Sequence, residues 1–191
     1  MIEHVIRLII LLANTHPVFE KPMKRLMILR HAKSSWDNPD LSDFDRPLNA
    51  RGRTAAPFMG RLIAERGYLP EMIVSSPAKR ASETAALVRE NAGISAAAQF
   101  DERIYEASPQ ALRQVVSETP DSVNSLMIIG HNPGMEGFVR FLTGELLPIP
   151  TAALSIIDLD IEKWADLTAN CGRLIRMIKP KDEMLLSSSA K

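Results

Sequence analysis

Two short runs hold the residues with the most chemical potential. LMILRH, residues 26–31, ends an apolar stretch on Arg30 and His31, and LMIIGH, residues 126–131, ends a near copy of it on His131. Apolar runs of this kind read as strands buried on both faces of a parallel sheet. Each would deliver its histidine at its carboxyl end. A third run, MIVSS at residues 72–76, ends on Ser75 and Ser76, and Arg80 follows one helical turn later. Open α/β sheets bind ligands outside the carboxyl ends of their strands. Arg30, Arg80, His31 and His131 would therefore meet at one mouth, beside helix-start N–H groups. That set suits a tetrahedral dianion, since guanidinium forks hold phosphate bidentately and helix N-termini favour anions. A neutral imidazole in such a cage attacks phosphorus and leaves again, splitting hydrolysis into two displacements through a phosphohistidine. A second, protonated histidine would help the arginines stabilise the transferring group. The plainer alternative is two structural imidazoles that only close strand ends.

The elements that must position these residues alternate along the chain. A strand over 25–29 precedes a helix from Asn49 to Arg66, closed by Gly67, in which Pro57 either makes a kink or marks the effective start. After the strand at 72–76, Ser76 is expected to cap a helix with Pro77 at its first position, running to Gly93. A weak strand over 97–100 leads to a helix capped by Ser108, with Pro109 first. The strand ending at Gly130 is followed by a helix that Asn132 and Pro133 open, ending before Gly144. The runs ALSIIDLD (153–160) and GRLIRMIK (172–179) have no long helix between them, which predicts an antiparallel edge. The expected architecture is one α/β domain, a three-layer α/β/α sandwich over a mostly parallel sheet.

Composition narrows the function classes. With 191 residues, 46% of them hydrophobic, the chain can bury a real core as one domain. Its formal net charge of +0 gives no global pull toward nucleic acid or an anionic membrane. A single cysteine, Cys171, makes no internal disulfide and suits a reducing cytoplasm, most simply as a small apolar side chain. VIRLIILLA near the start is broken by Arg7, too short to span a bilayer and poor as a secretory signal. Residues 1–22 are therefore expected to be an N-terminal extension upstream of the physiological start Met23, leaving His4 and His16 without a role. The domain is expected over 23–180, with a disordered tail over 181–191. No Walker-type loop is present, and no carboxylate cluster accompanies His31 or His131, so neither metal nor cofactor is signalled.

These motifs resemble those of a known family. LMILRHAKSSW is similar to the Arg-His-Gly signature of the histidine phosphatase superfamily, and PLNARG (47–52) to the segment that follows it there. VSSPAKRASETA (74–85) resembles the superfamily's second arginine motif, and IIGHNPG (128–134) its second histidine motif. They occur in the family's order within roughly residues 24–180. Short loops between motifs resemble those of small SixA-type phosphohistidine phosphatases. The resemblance implies a phosphoglycerate mutase-like fold, His31 as the phosphorylated nucleophile, Arg30 and Arg80 as phosphate clamps, and His131 as the second histidine. Ala32 stands where the signature has glycine. Asp37 falls where larger members carry a phosphate-binding asparagine; a carboxylate would repel phosphate, so that role is not transferred. For the general acid, Glu102 is the better positional match, with Glu106 as substitute. With no long insertion to build a lid, the site suits a phosphorylated side chain on a protein.

The resulting expectation is a metal-independent phosphatase acting on phosphohistidine, with a phosphorylated protein of the histidine-containing phosphotransfer type as partner. Alternatives are a phosphomonoesterase on a small phosphate ester or on phosphoserine and phosphothreonine, and a non-catalytic phosphate-binding module.

Overall fold

A computed structural model describes residues 24–189. The expectations for residues 1–22 and for Met23 lie outside this range. The strands are β1 (Lys24–Arg30), β2 (Met72–Ser75), β3 (Ala98–Phe100), β4 (Ser125–Gly130), β5 (Leu154–Leu159) and β6 (Gly172–Ile178). They form one sheet in the order β3-β2-β4-β1-β5-β6. β3, β2, β4 and β1 pair in parallel, whereas β5 and β6 run antiparallel, as the absence of an intervening helix predicts.

Alternation along the central strands creates two cores rather than one. Leu26 and Ile28 of β1 join Leu126 and Ile128 of β4 on one face, while Met27 and Leu29 join Met127 and Ile129 on the other. All eight are fully buried, each contributing about 1.5–3 kcal/mol of apolar transfer. The first face is covered by α3 (Pro109–Ser117) and α4 (Gly134–Thr143), through Leu112, Val116, Phe138 and Leu142. The second is covered by α1 (Ala50–Glu65) and α2 (Lys79–Ala92), through Met59, Ile63, Ala85 and Val88. This is the expected three-layer sandwich.

Several local expectations are corrected. α1 starts at Ala50, where the Asn49 side chain accepts the Gly52 N–H at 3.0 Å. The cap fixes the start well before Pro57, which lies inside the helix. α2 starts at Lys79, not Pro77, and Ser76 is not its cap. Instead Ser76 Oγ takes the Ala78 N–H at 3.3 Å and faces His131. Asn132 does not cap α4, whose N-cap position is Pro133; its amide donates to Glu136 Oε1 at 2.6 Å. Cys171 is half-buried at the edge of the first core.

The tail expected to be disordered from residue 181 continues as α5 (Pro180–Ser189). Asp182 and Glu183 occupy its first turn, where acids complement the helix dipole. Arg66, just beyond α1, holds Glu183 bidentately at 2.9 and 2.6 Å.

Candidate active site

Strand register decides where the chemistry sits. Arg30 pairs with Gly130 across β1 and β4, and Ser75 pairs with Ile129 across β2 and β4. One residue further on, His31, His131 and Ser76 therefore emerge side by side. The ladder continues through them: His31 N–H donates to the Gly130 carbonyl at 3.0 Å, and Ser76 N–H to that of Ile129 at 2.9 Å. The two imidazole centroids lie 4.9 Å apart, and the residues are 8% and 7% exposed.

The environment of His31 defines its tautomer. Nδ1 lies 2.7 Å from the Ala32 carbonyl, which can only accept, so Nδ1 carries the proton and Nε2 keeps its lone pair. Burial pushes the imidazole down to about 4; the Ala32 hydrogen bond opposes this, and Arg80, Arg30 and Arg46 add to it. His131 is pushed down to about 3, by burial first and then by His31 and Arg80, with Asp43 opposing. Both rings are thus neutral at physiological pH. His131 Nε2 lies 2.9 Å from Ser76 Oγ, while its Nδ1 is buried without a hydrogen-bond partner.

The two arginines are held differently. Arg30 Nη1 donates to the Ile149 carbonyl at 2.8 Å, and its Nε is buried without a partner. Glu136 fixes that anchor by accepting the Ile149 N–H at 2.8 Å. Arg80, 6% exposed, donates through Nη1 to the Asp43 carbonyl and through Nη2 to Asp43 Oδ2 at 2.8 Å. Thr84 ties the two halves together: it accepts the Ala32 N–H at 3.0 Å and donates to the Arg80 carbonyl at 2.6 Å. Sequence reasoning missed Asp43, the centre of this network. Its Oδ1 accepts from Arg46 Nη1 at 2.6 Å, and its Oδ2 also accepts the Tyr105 hydroxyl at 3.0 Å. Despite some desolvation, Arg46, Tyr105 and Arg80 hold the Asp43 carboxyl down at about 2. Tyr105 in turn packs edge-on against His131 at 5.5 Å. The available signal was DFDR, an acid three residues before an arginine between two motifs.

Two motif glycines mark close backbone approaches. A Cβ at Gly134 would lie 2.0 Å from the Ala107 carbonyl, and one at Gly52 would lie 2.2 Å from that of Lys33. These contacts bring the loop before α3 against α4 and the chain after His31 against α1. An open cleft of ≈ 810 Å³ results, lined among others by Asp43, Arg80, Glu106, His131 and Asn132.

Arg30, His31, Arg80 and His131 are thus brought together as expected, but Glu102 does not join them. It is exposed in a 3-10 turn that Asp101 caps by accepting the Arg103 N–H at 2.9 Å. The chain then reverses through Glu106, in the left-handed region at φ 50°, which brings that residue to the cleft wall. Asp37 is exposed and engaged with Ser35 at 2.6 Å. Among the described residues no group of three or more His, Cys, Asp or Glu could hold a metal ion, and no helix is long and apolar enough to cross a membrane.

Known proteins resemble this chain in sequence and fold. Residues 26–125 match the model of the histidine phosphatase superfamily, branch 1. An uncharacterized chloroplastic protein of Arabidopsis thaliana is 30% identical over 159 residues, 78% of this chain and 72% of that protein. An uncharacterized Mycobacterium tuberculosis protein is 30% identical over 169 residues, 80% of this chain and 100% of its own length. Among solved structures, one from Agrobacterium tumefaciens, named as a candidate phosphohistidine phosphatase SixA, superposes with a TM-score of 0.72 at 29% identity. That match covers 84% of this chain and 100% of the other. From its motifs, its phosphoglycerate mutase-like fold and these relatives, the chain belongs to the histidine phosphatase superfamily, branch 1, with a SixA-like structure.

Proposed function

We propose that this chain is a phosphohistidine phosphatase acting on a phosphorylated protein through a covalent intermediate on His31. The observation that carries the reading is the 2.7 Å contact between His31 Nδ1 and the Ala32 carbonyl, which leaves Nε2 as the free nucleophile. Nε2 attacks phosphorus and the P–N bond to the substrate imidazole breaks. The reacting form of the substrate is its cationic ring, protonated on the other nitrogen, so that imidazole departs neutral. The phosphorylated His31 ring is cationic, and the Ala32 carbonyl stabilises it through the Nδ1 proton. Water then attacks phosphorus, the P–Nε2 bond breaks, inorganic phosphate leaves and His31 returns to its neutral tautomer. Arg30 and Arg80 hold the equatorial oxygens and His131 faces the same group, so the catalysis is positioning and charge stabilisation.

The name of the Agrobacterium structure supports the choice of substrate. So does the chain's economy: neither the passage from β3 to α3 nor that from β4 to α4 carries an insertion that would close over the cleft. A second reading, a small phosphomonoester, is favoured by Glu106 in the cleft wall, since an alkoxide leaving group needs a proton. Steady-state turnover of a phosphohistidine peptide, a phosphoserine peptide and para-nitrophenyl phosphate separates the two. The proposal expects the highest kcat/KM on phosphohistidine, lost in His31→Ala; higher kcat/KM on the esters would establish the second reading instead.

A further inference from the structure

A second depression lies beside the catalytic mouth, and the reaction does not use it. This groove, ≈ 730 Å³, runs between the start of α1 and α5. Four cations line it, Lys33, Arg51, Lys179 and Lys181, against one acid, Asp182, with Met184 on its floor. Lys33, Arg51 and Lys181 are exposed and Lys179 is half-buried. None of the four joins the ion pairs formed among the described residues, which engage Arg25, Arg46, Arg66, Arg80 and Arg103 instead. The groove is also coupled to the site through the backbone. Lys33 follows His31 by two residues, and Thr151 of the groove wall precedes Ala152, whose N–H donates to the Arg30 and His31 carbonyls at 3.1 Å.

We propose that this groove docks an acidic segment of the phosphorylated protein while its phosphohistidine enters the cleft, an inference that rests on the phosphoprotein reading above. A phosphoryl group on a protein surface offers few contacts of its own, so an adjoining surface must supply affinity. Four cations against one acid select a negatively charged segment, and the apolar floor accepts its aliphatic stems. Charge complementarity of this kind raises encounter rates and excludes wrong partners.

The test compares two phosphohistidine peptides, one flanked by glutamates and one by serines, with para-nitrophenyl phosphate as control. The full chain is measured against the variant Arg51→Glu/Lys179→Glu/Lys181→Glu. Arg51 and Lys181 lie in helix first turns, where glutamate is favourable, so the variant is expected to fold. The wild-type chain should show a KM about tenfold lower for the glutamate-flanked peptide, as several exposed charge pairs together supply, shrinking as salt rises. The variant should lose that preference with kcat and control turnover unchanged. Equal KM values for both peptides in the wild type, or a preference that survives the reversal, would overturn the docking proposal while leaving the phosphohistidine reading intact. Failure of both peptides with the control still turned over would instead remove that reading, and the docking proposal with it. No peptide preference, with charge-dependent binding to phosphatidylserine vesicles, would assign the groove to an anionic membrane surface and reject the proposal.

Discussion

Lowering the pH from about 7 to about 5 should destabilise this protein through two buried histidines that stay neutral while the unfolded chain takes up protons. His31 is pushed from 6.5 to about 4 and His131 from 6.5 to about 3, with burial the first cause of both. Between those values the unfolded imidazole binds more protons than the folded one. Stability is therefore full above about 6.5 and falls as the pH drops toward the folded values. At about pH 5 the linkage amounts to about 2 kcal/mol for each histidine. Because His31 is itself a cause of the His131 shift, the pair is worth about 3–4 kcal/mol together. Asp43 has the same sign in a lower window: its carboxyl sits at about 2 against an ordinary 3.8, so the stability it contributes is also lost as the pH falls, but only below the range tested. The assay is urea unfolding followed by tryptophan fluorescence, with fully buried Trp164 as the reporter. With an m-value of about 2 kcal/mol per molar, the midpoint should fall by about 1.5–2 M across this range. The His31→Asn/His131→Asn variant should lose most of that dependence. A wild-type midpoint that does not move, or a double variant that falls just as far, would refute the claim that these rings are buried and neutral.

Three further outcomes follow from the same contacts. Gly134→Ala drives a methyl into the Ala107 carbonyl and should cost about 1–3 kcal/mol in urea unfolding, since both partners are backbone; an unchanged midpoint would mean the loop before α3 yields freely. Asp43→Ala releases Arg80, Arg46 and Tyr105 together and should lower kcat/KM by roughly tenfold to a hundredfold through misplacement of Arg80, with Asp43→Asn recovering part of it; full activity in Asp43→Ala would show that Arg80 needs no such brace. Glu106→Gln should slow an alkyl phosphate by about a hundredfold or more while sparing phosphohistidine, whereas Glu102→Gln should change neither; the reverse ranking would restore Glu102 as the acid.

The strands were legible because β1 and β4 are buried on both faces, which writes their boundaries as unbroken apolar runs. Arg30, His31, Arg80 and His131 were legible because each stands at or just after such a run's carboxyl end. What escaped were residues whose neighbours are set by tertiary contact. Asp43 meets Arg80 across 37 positions and Tyr105 across 62, and no local period announces either. Ser76 was misread as a helix cap because Ser-Pro is a good start signal; the fold spends its hydroxyl on His131 instead. Glu102 was preferred to Glu106 by position after β3, where the reversal at Glu106 decides which carboxylate reaches the cleft. The final helix was hidden behind a serine-rich ending, and the Arg66–Glu183 pair that holds its first turn is a contact across 117 positions that no local pattern announces.

The central claim is that His31 takes the phosphoryl group, and rapid-quench labelling tests it most directly. The protein is mixed with a phosphorylated histidine-containing phosphotransfer protein, and in parallel with para-nitrophenyl phosphate, then quenched in base to preserve a phosphoramidate. The account predicts acid-labile label on His31, formed and cleared faster with the phosphoprotein and absent from His31→Ala. Substrate turned over with no label on His31, or phosphate bound by a chain that is never labelled, would contradict it.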